Sequence, residues 1–228
     1  MIFFDLDGTL LDDGAAVNAG VREFHVRYGA RLGLSYSELA IRWDTLLARY
    51  FPQYLAGQLS MGEQRRARMR ELFASTDIVS EVDLDEAFAV YLGSYERAWQ
   101  PFGDVVPILS RLMRYQQLGI ITNGDEAQQR KKLEHTGLIQ FFTVVVTSGD
   151  VGIAKPAPAI FLEACRRAHS AVGDTVYVGD DWTLDVDGSR TAGLQPVWLR
   201  RSQCNHRIVP PSVRVIDSLV ELPAILAS

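Results

Sequence analysis

Two aspartates stand two residues apart in the run Asp5-Leu6-Asp7-Gly8-Thr9-Leu10, directly after the apolar triplet Ile2-Phe3-Phe4. Polar residues follow other short apolar runs in the same way. Thr122, Asn123 and Gly124 follow Gly119-Ile120-Ile121, and Asp180 and Asp181, with Asp185 a turn later, follow Thr175-Val176-Tyr177-Val178-Gly179. In an open parallel sheet, ligands bind beyond the carboxyl ends of the strands. If these strands are neighbours, four or more carboxylates converge on one small volume. Such a cluster repels itself unless a cation is present, and a hard ion with oxygen ligands, Mg²⁺ above all, fits it. A phosphoryl group suits the same surroundings. Thr122 brings a hydroxyl, Asn123 and Gly124 bring backbone N–H groups near a helix start, and Lys155 brings a compact positive charge. Of two carboxylates at one strand end, one can attack phosphorus and the other can move protons.

The elements that must hold these residues are legible from the pattern. Short apolar runs at 2–4, 119–122, 144–146, 175–178, 196–199 and 213–216 suit buried parallel strands. Helical spacing predicts helices over 104–117, over 125–136 with Asp125 as N-cap and Gly137 as stop, and over 157–169 after Lys155-Pro156-Ala157-Pro158. A last helix is expected to end near Ala227. Alternating strand and helix implies an α/β fold, a doubly wound parallel sheet with helices on both faces. Residues 14–98 break the rhythm. They lack β-branched runs and carry the stripes Leu39, Trp43, Leu46, Leu47 and Phe88, Tyr91, Leu92, Tyr95, with breaks expected at Gly57 and at 75–83. This predicts a helical insertion of four or five helices (14–98) in a core formed by 1–13 and 99–228. Asp12 and Asp13 fall at the entry to the insertion. The arginines of Arg65-Arg66-Ala67-Arg68-Met69-Arg70 read as a solvated helix face, and Trp182 reads as a packing residue beside the last acidic motif.

Bulk properties narrow the classes. The 228 residues are 47% hydrophobic with a net charge of −5, which suits a folded domain and carries no basic surface for nucleic acid. No apolar run reaches the roughly 18 residues of a membrane span. The chain opens directly on a strand with no basic leader, so a cytoplasmic protein is expected. Cys165 and Cys204 lie in unlike contexts and read as free thiols. His25, His135, His169 and His206 show no metal-ligand spacing. Of the 23 basic residues only Lys131, Lys132 and Lys155 are lysines. In so arginine-rich a chain, a lysine points to a position that uses a compact ammonium.

Taken together, Asp5-Leu6-Asp7-Gly8-Thr9-Leu10, Thr122-Asn123-Gly124, Lys155-Pro156 and Gly179-Asp180-Asp181 with Asp185 resemble, in order, the motifs of the haloacid dehalogenase (HAD) superfamily, in the branch with a helical cap inserted after the first motif. Residues 119–124, 132–138 and 151–156 are most similar to its pyrimidine nucleotidase-like members. The resemblance implies a Rossmann-like core, a helical cap and a Mg²⁺-dependent phosphatase acting on a small phosphorylated metabolite through an aspartyl-phosphate. It makes Asp5 the nucleophile and Asp7 the general acid/base. Thr122 and Lys155 hold the phosphoryl group, with Asn123 and Gly124 beside them. Asp180 is a metal ligand with Asp5 and the main-chain carbonyl of Asp7, and either Asp181 or, by preference, Asp185 completes the set. Within the family, Asp7 argues against dehalogenases, which attack carbon without a second aspartate. The absence of lysine from residues 11–100 removes phosphonatases, which need one in the cap. A sugar phosphomutase is the other enzyme of the superfamily compatible with these residues, and a phosphate-binding regulatory module the reading from another class.

Overall fold

Six short strands, every one rich in Val, Ile, Leu or Phe, form one parallel sheet in the computed structural model, which describes residues 1–74, 83–201 and 208–226. They are β1 (Ile2–Phe4), β2 (Leu118–Thr122), β3 (Val144–Thr147), β4 (Val176–Gly179), β5 (Gln195–Leu199) and β6 (Arg214–Ile216), in the spatial order β3-β2-β1-β4-β5-β6. Burial on both faces explains why β1, β2 and β4 are continuous apolar runs rather than alternating ones. Strand order reverses around β1, with Phe4 opposite Ile120 on one side and Val178 on the other. The Asp5 N–H still pairs with the Val178 carbonyl at 2.9 Å, so the first site residue belongs to the sheet.

Between the strands run the helices of the core. These are α5 (Val105–Leu112), α6 (Glu126–His135), the four-residue α7 (Ser148–Val151), α8 (Pro158–Arg167) and the four-residue α9 (Gly188–Thr191), and α10 (Leu222–Leu226) follows the last strand. The N-cap at Asp125 accepts from the Gln128 N–H at 3.0 Å, and Gly137 takes φ 69° just past α6. Pro158 opens α8. The predicted helix over 104–117 stops early, at Leu112. Its apolar stripe ends there, and residues 114–117 are exposed and bury nothing that would extend it. Residues Ile2, Phe4, Leu6, Leu109, Ile120, Leu133 and Val178 share one side of the sheet's core, and Phe3, Ile121, Phe161 and Tyr177 the other.

The chain divides into two units, Met1–Asp12 with Gln100–Ser228, and Asp13–Trp99. The second is helical: α1 (Asp13–Leu32), α2 (Tyr36–Leu55), α3 (Met61–Phe73) and α4 (Leu84–Arg97). Ser35 with Glu38, and Ser60 with Glu63, form capping boxes at the starts of α2 and α3. Phe24, Trp43, Phe73, Phe88 and Tyr91 fill its centre. Arg68 corrects the expectation of a solvated arginine face. It is 4% exposed, with its guanidinium 4.8 Å from the Trp43 ring centroid and 5.5 Å from that of Phe88. The turn of α3 places residue 68 on the same face as Leu72, where the aromatic core takes it in. Part of the predicted break at 75–83, Cys204, His206 and Ala227 lie outside the described residues. Among the described residues, no helix is long and apolar enough to cross a membrane.

Candidate active site

Three carboxylates and an ammonium meet at the carboxyl ends of β1 and β4. Asp5, Asp180 and Asp185 each offer an oxygen within 4.8 Å of the others. Lys155 Nζ lies between two of them, donating to Asp5 Oδ1 at 2.6 Å and to Asp185 Oδ1 at 2.7 Å. The local backbone is shaped for this approach. Gly8 has φ +85°, and a Cβ there would lie 2.7 Å from Asp180 Oδ2. A Cβ on Gly179 would lie 2.3 Å from Asp185 Cγ. Both positions therefore require glycine for space, and Gly8 for its conformation as well.

Burial governs the electrostatics. It is the largest influence on Asp5 and raises its pKa well above the ordinary carboxylate range; Lys155 opposes it, while the Asp185 and Asp180 charges add to it. Asp180 is pushed up to about 6, mainly by burial and with help from Asp185, although the Thr9 hydroxyl donates to its Oδ1 at 2.6 Å. Burial acts to lower the pKa of Lys155, but Asp185 and Asp5 outweigh it and hold the ammonium protonated. One cation thus faces three carboxylates, a set deficient in positive charge.

Asp185 sits on the first turn of a π-helix, Trp182–Asp187, and is fully buried. Its Oδ2 accepts from the Asp181 N–H at 2.9 Å. The Asp181 carboxylate turns away to cap that turn, accepting from the Leu184 N–H at 2.7 Å. Asp185, not Asp181, is therefore in the cluster. Trp182 packs edge-on against Trp198, with centroids 5.0 Å apart.

Asp7 points elsewhere. Its carboxylate accepts from Lys132 Nζ at 2.7 Å through both oxygens and from Gln129 Nε2 at 2.9 Å. The same Gln129 nitrogen lies 2.7 Å from Thr122 Oγ1. Asn123 pins the Lys155 backbone: Lys155 N–H donates to Asn123 Oδ1 at 2.8 Å, and Asn123 Nδ2 donates to the Lys155 carbonyl at 3.0 Å. Gly124 requires a correction. Its N–H, expected to face a phosphate, donates to Ser148 Oγ at 2.8 Å in the interior. The close approach of α7 behind the loop consumes that donor.

Four residues at the site had no assigned role in the sequence: Thr9, Gln129, Lys132 and Tyr177. Tyr177 rises from the middle of β4, and its hydroxyl accepts from Lys155 Nζ at 3.0 Å and lies 3.0 Å from both Asp185 Oδ1 and the Ile121 carbonyl. The scarcity of lysine marks position 132, and the three-residue spacing of Gln129 and Lys132 on the helix after Thr122 is the further signal that could have found the pair.

The order of strands, the acidic cluster at the switch point and the helical insertion define a HAD-type hydrolase. The chain belongs to the haloacid dehalogenase-like hydrolase family, whose model matches residues 1–193. It is 27% identical to human N-acylneuraminate-9-phosphatase, over 100% of this chain and 93% of that protein. It is 29% identical to the pyrimidine 5'-nucleotidase YjjG of Escherichia coli, over 99% of this chain and 96% of the relative. Among solved structures, the HAD-hydrolase YfnB of Bacillus subtilis, crystallised with magnesium, superposes with a TM-score of 0.80 at 24% identity, covering 100% of this chain and 98% of that one. That likeness shows the fold.

Proposed function

We propose that this phosphomonoester hydrolase is a Mg²⁺-dependent phosphatase that cleaves a small phosphorylated metabolite, a nucleotide or a sugar phosphate, through an aspartyl-phosphate on Asp5. The observation that carries the reading is the bridge Asp5–Lys155–Asp185, with Asp180 in the same cluster. A phosphoryl group attacked by Asp5 comes within reach of the ammonium that already holds that carboxylate. The donor set is all oxygen and short of positive charge, which fits a hard divalent cation held by Asp5, Asp180 and the Asp7 main-chain carbonyl. Asp185, both of whose oxygens are engaged by the protein, would act at one remove through water. When bound, such a cation supplies stabilisation of negative charge on the transferring phosphoryl oxygens.

The protein's own groups account for the rest. An Asp5 oxygen attacks phosphorus, the ester P–O bond breaks, and Asp7 gives a proton to the leaving oxygen. Asp7 then takes a proton from water as that water attacks the phosphorus of the aspartyl-phosphate. The bond from phosphorus to Asp5 breaks and inorganic phosphate leaves. The Thr122 hydroxyl, the Asn123 N–H and Lys155 Nζ hold the phosphoryl oxygens. Residues 1–13 and 99–228 are the catalytic core in this reading, and the helices of 14–98 are a cap that selects the substrate and limits water. The names of the human and E. coli relatives support a sugar phosphate and a nucleotide equally.

Asp5→Asn is expected to abolish phosphate release with the fold intact, and chelation by EDTA to remove activity that Mg²⁺ restores. A panel of phosphate esters, read both as free phosphate and as isomerised sugar phosphate, identifies the substrate class and separates hydrolysis from phosphomutase activity. Near-normal release by the Asp5 variant, or full activity in chelator, would overturn the mechanism.

A further inference from the structure

Helix α6 is polar along most of its length, yet Gln129 and Lys132 are only 2% and 3% exposed. Residues three apart share a helix face. Ordering and drying a long amide and an ammonium costs side-chain entropy and hydration, so such burial needs strong contacts in return. Both side chains make theirs to two groups of the site. A carboxylate only accepts hydrogen bonds, so the Gln129 atom 2.9 Å from Asp7 Oδ2 is its NH₂ nitrogen. That nitrogen has two protons and reaches Thr122 Oγ1 at 2.7 Å with the other. The Thr122 oxygen is then an acceptor toward Gln129, and its own proton is left to donate in another direction. Lys132 Nζ meets both Asp7 oxygens at 2.7 Å and holds the head of that carboxylate.

We infer that Gln129 and Lys132 are positioning residues for the reaction: Lys132 holds the Asp7 carboxylate, and Gln129 ties that carboxylate to the Thr122 hydroxyl so that proton donor and phosphate-holding group are presented together. The inference rests on the phosphatase reading above, in which Asp7 moves protons and Thr122 holds the phosphoryl group. Neither residue touches the reacting atoms. Their roles differ, and the difference is measurable. Loss of Lys132 frees Asp7, whereas loss of Gln129 frees the Thr122 hydroxyl as well.

The test is steady-state kinetics on the best ester of the panel in saturating Mg²⁺, with rates normalised to folded protein by circular dichroism. A misplacement of about 1 Å can lower a rate by about 100-fold. Lys132→Met is therefore expected to lower kcat by roughly that factor with KM changed less than about threefold. Lys132→Arg, whose fork can also meet a carboxylate through two N–H groups, is expected to recover most of the loss. Gln129→Leu is expected to lower kcat and also raise KM. A merely structural role would lower Tm and the folded fraction but leave kcat per folded molecule unchanged. If Lys132→Met or Gln129→Leu fails to fold, the near-isosteric Gln129→Glu decides: full kcat and KM in Gln129→Glu overturns the inference, as does a folded Lys132→Met or Gln129→Leu within twofold of the parent in both constants. Wild-type protein that releases no phosphate from any ester, or an Asp5→Asn variant as active as wild type, overturns the phosphatase reading instead, and the inference falls with it.

Discussion

Tyr177 is the neutral residue that touches the buried charges of the site. Its hydroxyl touches Lys155 Nζ, and it lies 3.0 Å from Asp185 and from the Ile121 carbonyl. Burial and the nearby Asp185 and Asp5 charges hold its pKa well above the usual phenol range, so the group stays neutral and keeps a proton to donate. Phenylalanine keeps the ring and its edge-on contact with Phe161, 5.0 Å between centroids, and removes only the oxygen. Taking one partner from a buried hydrogen bond costs about 1–3 kcal/mol. Tyr177→Phe is therefore expected to lower stability by that amount in urea denaturation. Phosphate release should fall by about 10-fold or more, because the Lys155 ammonium loses one of three acceptors that fix it. Unchanged kcat in this variant would show that Asp5 and Asp185 alone position Lys155.

At the scale of the element, α3 holds a costly arrangement. Arg68 is buried with Nε and Nη2 lacking a hydrogen-bond partner among the described residues, and burial lowers its pKa to about 10. Contact with the Trp43 and Phe88 rings is worth about 0.5–2 kcal/mol, while each orphaned donor costs about 1–3 kcal/mol. Arg68→Met keeps the length and apolar stem, and a gain of about 1 kcal/mol in denaturant unfolding is expected; a loss above about 2 kcal/mol would mean that the ring contacts outweigh the two orphaned donors. The same helix shows where sequence patterns stop being informative. Repeated charge reads as a wet face, and only the packing of α3 against Trp43 and Phe88 reveals that one arginine of the run points inward. The strand ends were legible for a contrasting reason. Chain direction in a parallel sheet puts Asp5, Thr122 and Asp180 at one edge whatever the neighbours are. Gln129 and Lys132, within a helix, and Tyr177, within a strand, reach the site because of how those elements are rotated and stacked, which no local pattern encodes. The partner of the Gly124 donor is hidden from the sequence because α7, four residues long, carries too little periodicity to announce the Ser148 hydroxyl behind the loop.

Over the whole molecule, a net charge of −5 and an acidic cluster at the sheet's switch point tie stability to pH and to cations. Asp180 titrates at about 6 in the fold, against an ordinary value of 3.8, and the Asp5 carboxyl is displaced in the same direction. The folded state then binds protons more tightly than the unfolded chain, so the stability they contribute is present at low pH and lost as pH rises through about 6. For Asp180 alone the loss is on the order of 2–3 kcal/mol, from about 1.4 kcal/mol per pKa unit. Asp104 shifts oppositely: the Arg201, Ser218 and Leu219 donors overcome burial and hold it below 3.8, so its contribution vanishes only in stronger acid. Metal-free protein is thus expected to show a falling Tm between about pH 5 and about pH 7. Saturating Mg²⁺ binds the folded state and adds stability by mass action, about 2.7 kcal/mol at 100 times its Kd. Because protons compete for the same oxygens, its increment should be largest above pH 6 and shrink below it, flattening the profile. Asp180→Asn should flatten the metal-free profile too and weaken the Mg²⁺ increment, since the amide neither titrates nor attracts the ion as strongly. Scanning fluorimetry across this range, with EDTA and with Mg²⁺, measures all four curves. A metal-free Tm that rises from about pH 5 to about pH 7, with no response to Mg²⁺, would mean that these carboxylates are neither crowded nor held for a cation.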